Sequence, residues 1–261
     1  MALGSREARP KGRFGFFGFP TCFGALQEWL PVPVATCSTR NIAVNDRLTW
    51  LWKSVDLLLP GVYLVSANAS FNKAQARGMV RESLRIRELQ PHLQLFPYLW
   101  SEFFRPGNIA KFPAPYPSCK LQNGQWVMPC TVDRHNMRAM VEVPAKLGVD
   151  GLVIWGSIDD VSGGGWTGPA TRFAALCANM SETIMKTLGP ILREAIATRR
   201  SCDATRCAGS GRCVDINATD GTAVQSCLPG HTRTAAKTDD SPCRPDNSGK
   251  CFAGARSFCR R

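Results

Sequence analysis

The stretch GLVIWGS, from Gly151 to Ser157, gives the clearest strand pattern in the chain and decides its fold class. A short, continuous apolar run of this kind is typical of a parallel strand that is buried on both faces. A helix is predicted before it, with Asp133 as its N-terminal cap. The apolar positions of that helix recur at helical intervals, at Met137, Met140, Val141 and Ala145. A helix followed by a buried strand is one unit of an alternating β/α chain.

Three further strand-and-helix units are predicted upstream of this stretch. The strands are expected at Arg13–Pro20 (RFGFFGFP), Val62–Val65 and Leu93–Trp100. Helices are expected from Asn45 to Leu59 and from about Lys73 to Leu89. A further helix is expected downstream of the Gly151–Ser157 strand, from roughly Phe173 to Ala197. Alternating strands and helices predict an α/β fold built on a parallel sheet or a barrel.

The cysteine content changes sharply after residue 200. Seven of the twelve cysteines lie there, and the spacing of Cys202, Cys207, Cys213 and Cys227 is that of a small disulfide-stapled module. Zinc binding is disfavoured because the Cys-x2-Cys spacing of zinc sites is absent. We therefore expect residues 201–261 to form an EGF-like tail.

The same cysteines indicate an oxidising, extracellular compartment. Three potential glycosylation sites, at Asn68, Asn179 and Asn217, agree with export. The first 13 residues contain four basic residues but no apolar core of a signal peptide. The expectation at this point is a secreted protein whose natural N-terminus is missing from the sequence.

The net charge of +12 favours a polyanionic partner. The basic residues are scattered and no nucleic-acid-binding motif accompanies them, so a nucleic-acid partner is not expected. No apolar run approaches the roughly 20 residues of a membrane span. The three histidines, His92, His135 and His231, lie in unrelated contexts, and we predict neither a metal site nor a cofactor.

Several segments, taken in order, resemble the hyaluronidase family of animal venoms and tissues. They are RPKGRFGFFGFPTCF (Arg9–Phe23), NDRLTWLW (Asn45–Trp52), LLPGVYL (Leu58–Leu64), DGLVIWGSIDD (Asp150–Asp160), TLGPIL (Thr187–Leu192) and CAGSGRCV (Cys207–Val214). The resemblance covers most of residues 9–215, apart from insertions near 107–128 and 163–172. It implies that residues 1–200 are the C-terminal half of a TIM-like (β/α) barrel, in a monomeric protein.

The resemblance also implies an activity, the hydrolysis of hyaluronan or chondroitin. In this family the acetamido oxygen of the substrate attacks the anomeric carbon, a protonated Glu donates to the leaving oxygen, and an Asp positions the acetamido group. Both acids belong to an Asp-x-Glu motif upstream of the Gly-Phe-Pro segment, and this sequence contains no Asp-x-Glu. We expect the chain as given to be N-terminally truncated and inactive.

Several residues match the substrate groove of the family. Tyr63 matches the tyrosine that holds the acetamido group, and Trp155 matches a tryptophan of the sugar-contacting wall. Further binding positions are expected at Phe17, Tyr98, Ser157, Asp159 and Asp160. Core packing is the alternative for the three residues Tyr63, Tyr98 and Trp155, and helix capping is the alternative for the two aspartates. Phe17 departs from the family, which usually has a tyrosine there.

Disulfides are also expected in the first 200 residues. Cys22 and Cys37 are expected to pair and close the loop after the first strand, which stabilises by about 3 kcal/mol in the chain-entropy model. Cys119 and Cys130 form a second candidate pair. Cys177 matches a family cysteine whose partner lies in the absent half.

Two other functions remain open at this stage. The chain could be a non-catalytic hyaluronan-binding protein that has lost its acid. It could also be an extracellular adhesion protein whose function lies in the disulfide-rich tail.

Overall fold

The computed structural model describes residues 12–22, 36–64, 68–101, 120–122, 125–127, 132–155, 178, 181–208, 211–217 and 223–229. Several predicted residues lie outside these ranges, namely Ser157, Asp159, Asp160, Cys119, Cys130, Cys177 and Asn179.

Parallel strands from four parts of the chain form the centre of the molecule. The strands β1 (Gly15–Phe17), β2 (Leu57–Leu59) and β4 (Gln94–Leu95) pair in the order β1-β2-β4. The strands β3 (Gly61–Val62), β5 (Tyr98–Trp100) and β8 (Val153–Trp155) pair in the order β3-β5-β8. Every pairing within these two sheets is parallel.

The two sheets are joined end to end along their strands, because β2 continues into β3 and β4 into β5. The amide of Phe96 donates to the carbonyl of Leu58 at 2.9 Å, and the amide of Tyr98 donates to that of Pro60 at 2.8 Å. These bonds carry the ladder past Pro60, which has no amide hydrogen to donate. The α/β prediction is confirmed, while the assignment to half of a barrel remains a prediction.

Helices connect the strands and a hairpin lies between β5 and β8. The helices are α1 (Thr39–Arg47), α2 (Thr49–Ser54), α3 (Ala69–Leu89), α4 (Arg134–Leu147) and α5 (Gly189–Arg206), the last preceded by a π-helical segment (Thr183–Leu188). The hairpin pairs β6 (Lys120–Gln122) with β7 (Gln125–Val127). Strand, helix and strand therefore alternate along this part of the chain.

The helix predicted from Asn45 to Leu59 is wrong at both ends. It begins at Thr39, where the hydroxyl of Ser38 accepts from the amide of Asn41 at 3.2 Å, and its second part ends at Ser54. Leu57–Leu59 is a strand that pairs with β1 and β4. A short apolar run fits a helix and a buried strand equally well, so periodicity alone did not separate them.

The helix predicted from about Lys73 begins at Ala69. Its cap is Asn68, whose side-chain oxygen accepts from the amides of Ser70 at 2.9 Å and Phe71 at 3.2 Å. Asn68 is exposed and is also a predicted glycosylation site. The cap engages the side-chain oxygen and glycosylation the nitrogen, so both roles are compatible, and glycosylation stays a prediction.

Asp133 caps α4, as predicted. Its Oδ1 accepts from the amides of His135 at 2.9 Å and Asn136 at 3.0 Å. Burial acts to raise the pKa of this carboxyl, but the hydrogen bonds from the side chain and backbone of Asn136 and from the backbone of His135 lower it on balance. The helix ends at Gly148, whose φ of 84° is the left-handed conformation that favours glycine.

The core lies between the sheet and the helices. Leu58, Leu95 and Leu99 are fully buried there, as are Met137 and Met140 of α4. The two long helices also share a polar contact, in which Nδ2 of Asn72 donates to Oδ1 of Asn136 at 2.6 Å. These contacts cover one side of the sheet and fix the positions of its strands.

The cysteine-rich segment begins inside α5. That helix runs through Arg206, so the boundary predicted between residues 200 and 201 falls within it, and the division into domains stays a prediction. A hairpin of β9 (Gly211–Asn217) and β10 (Ala223–Pro229) follows. Disulfides join Cys202 to Cys213, Cys207 to Cys227 and, near the first strand, Cys22 to Cys37.

Candidate functional site: an aromatic wall at the carboxyl edge of the sheet

Four aromatic side chains lie where the parallel strands end, and a fifth, Tyr98 at the start of β5, contacts them. We call this group the aromatic wall: Phe17, Tyr63, Tyr98, Trp100 and Trp155. Phe17, Trp100 and Trp155 are the last residues of β1, β5 and β8, and Tyr63 directly follows β3. The carboxyl ends of parallel strands meet at one edge of a sheet, which is where α/β proteins place ligand sites.

The strand register places these rings on one face. Tyr98 lies opposite Gly61 on one side and Val153 on the other, and Trp100 lies opposite Trp155. Side chains two residues apart on a strand share a face, so Tyr98 and Trp100 project together. The residue between them, Leu99, projects to the other face and is fully buried against the helices.

Phe17 lies at the centre of the wall. Its ring centroid is 4.9 Å from that of Tyr98, 6.0 Å from Tyr63 and 6.5 Å from Trp155. Tyr63 also lies 5.4 Å from Trp100, and Tyr98 lies 6.4 Å from Trp155. Four residues expected at a binding site from the sequence, Phe17, Tyr63, Tyr98 and Trp155, are therefore close together in the structure.

The wall is open to solvent at two of its rings. Phe17 is 53% exposed and Trp155 is 46% exposed. A ring packed only as core would have both faces covered, and these two present an aromatic surface instead. These exposed aromatic rings, next to the tyrosines Tyr63 and Tyr98, suit a ligand with both apolar and polar faces.

Buried polar side chains hold the segment that follows Phe17. Nδ2 of Asn45 donates to the carbonyl of Thr21 at 2.7 Å and to Oε1 of Glu82 at 2.8 Å. Nδ2 of Asn41 donates to the carbonyl of Cys22 at 2.9 Å. Both asparagines belong to α1, so this helix fixes the path of the chain beyond the wall.

Glu82 is buried, and Arg85 neutralises it. The guanidinium of Arg85 donates to both carboxylate oxygens of Glu82 at 2.8 Å and reaches Asp46 at 2.8 Å. The hydrogen bond to Glu82 is the main cause that raises the pKa of Arg85, so this guanidinium stays charged. This ion pair is a support for Asn45 rather than a candidate for proton transfer.

The described aspartates next to the sheet lie at its opposite edge. Asp56 precedes β2 and its Oδ2 accepts from the amide of Phe14 at 3.0 Å. Asp150 precedes β8 and pairs with Arg87 at 3.1 Å. Both carboxylates therefore have structural roles, and neither can reach a ligand on the aromatic wall. Within the described ranges no group of three or more His, Cys, Asp or Glu side chains is placed to hold a metal ion.

Trp100 is the member of the wall that the sequence did not predict as a site residue. The sequence does contain a signal for it, because Trp100 lies two residues after Tyr98 and shares its face of the strand.

A second feature of the structure is a cleft of about 180 Å³ between α4, α5 and the tail, which is far from the wall. Its acids Glu142 and Glu194 are both paired with Arg138, so their charges are balanced within the protein.

A family model described as hyaluronidase (glycoside hydrolase family 56) matches residues 2–108 and 131–243 of the chain. This chain belongs to the hyaluronidase family. The match includes all five residues of the aromatic wall, and it confirms the family that the sequence motifs indicated. Membership places this hyaluronidase-family chain among the glycoside hydrolases.

Curated relatives support the same assignment. Hyaluronidase conohyal-P1 of Conus purpurascens is 26% identical over 272 residues, covering all of this chain and 49% of that protein. Hyaluronidase of Apis mellifera is 26% identical over 72% of this chain and 41% of its own length. Human hyaluronidase-1 is 27% identical over 80% of this chain and 41% of its own length. The chain thus spans about half, or less, of the relatives it matches.

The fold is shared with bee venom hyaluronidase. Its monoclinic crystal structure aligns with a TM-score of 0.55 at 24% identity, covering 73% of this chain and 51% of that one. A crystal structure of the same enzyme in complex with a hyaluronic acid tetramer aligns with the same TM-score and identity. Among the described residues of this hyaluronidase-family chain, no helix is long and apolar enough to cross a bilayer.

Proposed function

We propose that the aromatic wall is one side of a groove that binds hyaluronan, with chondroitin as a related ligand. The observation that carries the proposal is the convergence of Phe17, Tyr63, Tyr98 and Trp155 at one edge of the sheet in a chain of the hyaluronidase family. The complex of the bee enzyme with a hyaluronic acid tetramer supports the same class of ligand.

The chemistry of the wall suits this polymer. Each sugar ring has an apolar face of C–H groups that packs against an aromatic ring, and we assign that contact to Trp155 and Phe17. The hydroxyl of Tyr63 is proposed to hold the acetamido group of N-acetylglucosamine. The net charge of +12 attracts the glucuronate carboxylates that recur along the chain of hyaluronan. Ser157, Asp159 and Asp160 remain proposed partners of the sugar hydroxyls.

Hydrolysis by the family mechanism requires two carboxyl groups, which the family carries in an Asp-x-Glu motif that these 261 residues do not contain. The substrate supplies the nucleophile, its acetamido oxygen, but a carboxylic acid must protonate the leaving oxygen and a second carboxylate must orient the acetamido group. No Asp-x-Glu occurs in the sequence, and general acid catalysis contributes roughly 10²–10⁴-fold to such reactions. We therefore propose that this chain by itself binds the polymer without cleaving it.

The first test is an activity measurement on the 261-residue chain. In a hyaluronan zymogram, with an active hyaluronidase as positive control, no clearing is expected at any pH from about 3 to about 8. This range covers the ordinary pKa values of carboxylic acids and histidine, the groups that could donate the proton. Clearing at any pH would show that another group supplies the proton, and the assignment of the missing acid would be wrong.

The second test is a substitution in the wall. Trp155→Ala is expected to weaken the binding of a hyaluronan oligosaccharide about tenfold, because the lost stacking surface contributes about 1.4 kcal/mol. The measurement is isothermal titration calorimetry on the folded chain. Trp50→Ala is the matched control, since Trp50 is 65% exposed on α2 and lies outside the wall.

Equal affinities for Trp155→Ala and the unchanged chain would make Trp155 a packing residue and would remove the main support for the groove. Similar losses in both variants would point to a general effect of removing tryptophan rather than to the wall.

We further propose that the protein is extracellular and glycosylated, with residues 201–261 as an EGF-like tail. The three described disulfides support the first point, since such bonds persist in oxidising compartments. Mass spectrometry of the protein secreted from animal cells would identify glycans at Asn68, Asn179 and Asn217.

A further inference from the structure

The outward face of α3 carries a row of cations that the aromatic wall does not use. Lys73, Arg77 and Arg81 recur every fourth residue along this helix. The neighbouring positions Ala76 and Val80 are buried, so α3 turns those residues towards the core. We call the group of Lys73, Arg77 and Arg81 the basic row.

The arginines of the basic row differ from the other half-buried arginines in the described ranges. Arg85, Arg87, Arg138 and Arg199 each have a carboxylate within ion-pair distance. In contrast, no carboxylate of the described part of the chain lies within 4.0 Å of Arg77 or Arg81, although both are half-buried. Two partly desolvated guanidinium groups therefore lie here without an acidic side chain of the described residues to balance their charge.

The side chain of Arg77 adds an independent observation. Its Nε is fully buried and has no hydrogen-bond acceptor, and it is the one charged group among the described buried polar atoms in this condition. A buried, unpaired donor on a charged group is costly, and because this Nε is inaccessible from outside, it shows that Arg77 is not satisfied from within the described part of the protein rather than where a ligand would bind. Desolvation and the charge of Arg77 lower the pKa of Arg81, which indicates that the two cations repel each other.

The spacing of the row bears on the kind of partner. Four residues of α-helix rise about 6 Å, so the three cations extend over about 12 Å on one face. Arg85, the next residue at this interval, is already paired with Glu82 and Asp46, so the row of cations without an acid ends at Arg81. A line of cations at this interval fits a polymer with anionic groups at regular spacing better than it fits a single ion. Guanidinium forks bind the oxygens of a sulfate ester through paired, charge-assisted hydrogen bonds.

We propose that Lys73, Arg77 and Arg81 form a binding site for a sulfated polysaccharide on the outside of α3, separate from the aromatic wall. Sulfate oxygens would accept from Arg77 and Arg81, and Lys73 would extend the contact along the chain. The site does not depend on the proposed hyaluronan groove, because hyaluronan has no sulfate and the wall lies on the opposite face of the sheet.

The test compares variants of the full chain in binding a heparin dodecasaccharide at fixed ionic strength. Arg77→Gln with Arg81→Gln is expected to weaken binding about tenfold or more, because two charge-assisted contacts are lost. Arg47→Gln with Arg200→Gln removes the same charge from two exposed arginines of α1 and α5, and its affinity is expected to fall less than twofold. Arg77→Lys with Arg81→Lys, which keeps the charge but loses the forks, should lie between the two.

The double glutamine variant is expected to melt at or slightly above the temperature of the unchanged chain, because it removes a repulsive, unpaired pair. Equal losses of affinity in the two charge-matched variants would overturn the site in favour of general charge attraction. A large drop in melting temperature would also overturn it, since the arginines would then be structural.

Two further experiments distinguish a single sulfate ion from a sulfated polymer, and the basic row from the aromatic wall. If inorganic sulfate at the same sulfate concentration competes fully with the dodecasaccharide, the row binds a single oxyanion and the proposed polymer site is wrong. Trp155→Ala should leave heparin binding unchanged, and Arg77→Gln with Arg81→Gln should leave binding of hyaluronan oligosaccharides within twofold. Failure of one site would therefore not be mistaken for failure of the other.

Discussion

Replacing Asp150 with alanine is expected to lower the free energy of unfolding by about 3–5 kcal/mol, the usual cost of breaking a buried ion pair from one side. The carboxylate of Asp150 is 4% exposed and lies 3.1 Å from the guanidinium of Arg87, which is 11% exposed. Its Oδ2 also accepts from the amide of Leu95 at 2.9 Å. The substitution would leave a buried cation and a strand amide without this acceptor.

The measurement is urea unfolding of the full chain, followed by tryptophan fluorescence. Asp46→Ala is the matched control, because Asp46 pairs with Arg85 at 2.8 Å but is 52% exposed, and surface pairs contribute about 0–1 kcal/mol. A loss below about 1 kcal/mol for Asp150→Ala would mean that water or other groups replace the carboxylate, and the ion pair would not anchor β8.

The second large effect is expected from Leu99→Ala. Leu99 is fully buried between the sheet and the helices, and replacing a buried leucine by alanine costs about 2–5 kcal/mol through lost burial and the cavity left behind. Its neighbours Tyr98 and Trp100 project to the other face and belong to the aromatic wall. The folded fraction of Leu99→Ala should therefore bind hyaluronan oligosaccharides with unchanged affinity.

Trp100→Ala is the adjacent comparison on the same strand. It removes a ring 5.4 Å from Tyr63, so its larger effect should be on affinity and its smaller effect on stability. Calorimetric binding and urea unfolding on both variants would measure this division. If Leu99→Ala and Trp100→Ala lose affinity equally, the two faces of β5 are not independent, and the separation of core from wall would have to be abandoned.

The family motifs in the sequence identified some residues of the aromatic wall and its supports but not others. Tyr63 and Trp155 were identified because they stand in motifs of the family at predicted strand ends. Trp100 stands in no such motif; its spacing of two residues from Tyr98 is the one local signal, and its register opposite Trp155 brings it into the wall. Asn41 and Asn45 were also missed as supports, because a buried asparagine interrupts the apolar pattern of an amphipathic helix and conceals where α1 begins.

The sequence by itself determined the alternation of strands and helices, the cap of α4 at Asp133, the hyaluronidase motifs and the lack of an Asp-x-Glu pair. These features are local, since they depend on apolar periodicity, capping chemistry and short runs of residue types. Only the tertiary structure decided that Leu57–Leu59 is a strand, that Asp150 pairs with Arg87, and that Phe17 lies within 6.5 Å of Trp155. Each of these depends on which strands become neighbours, because partners far apart in the chain supply the hydrogen bonds, charges and ring contacts that settle them.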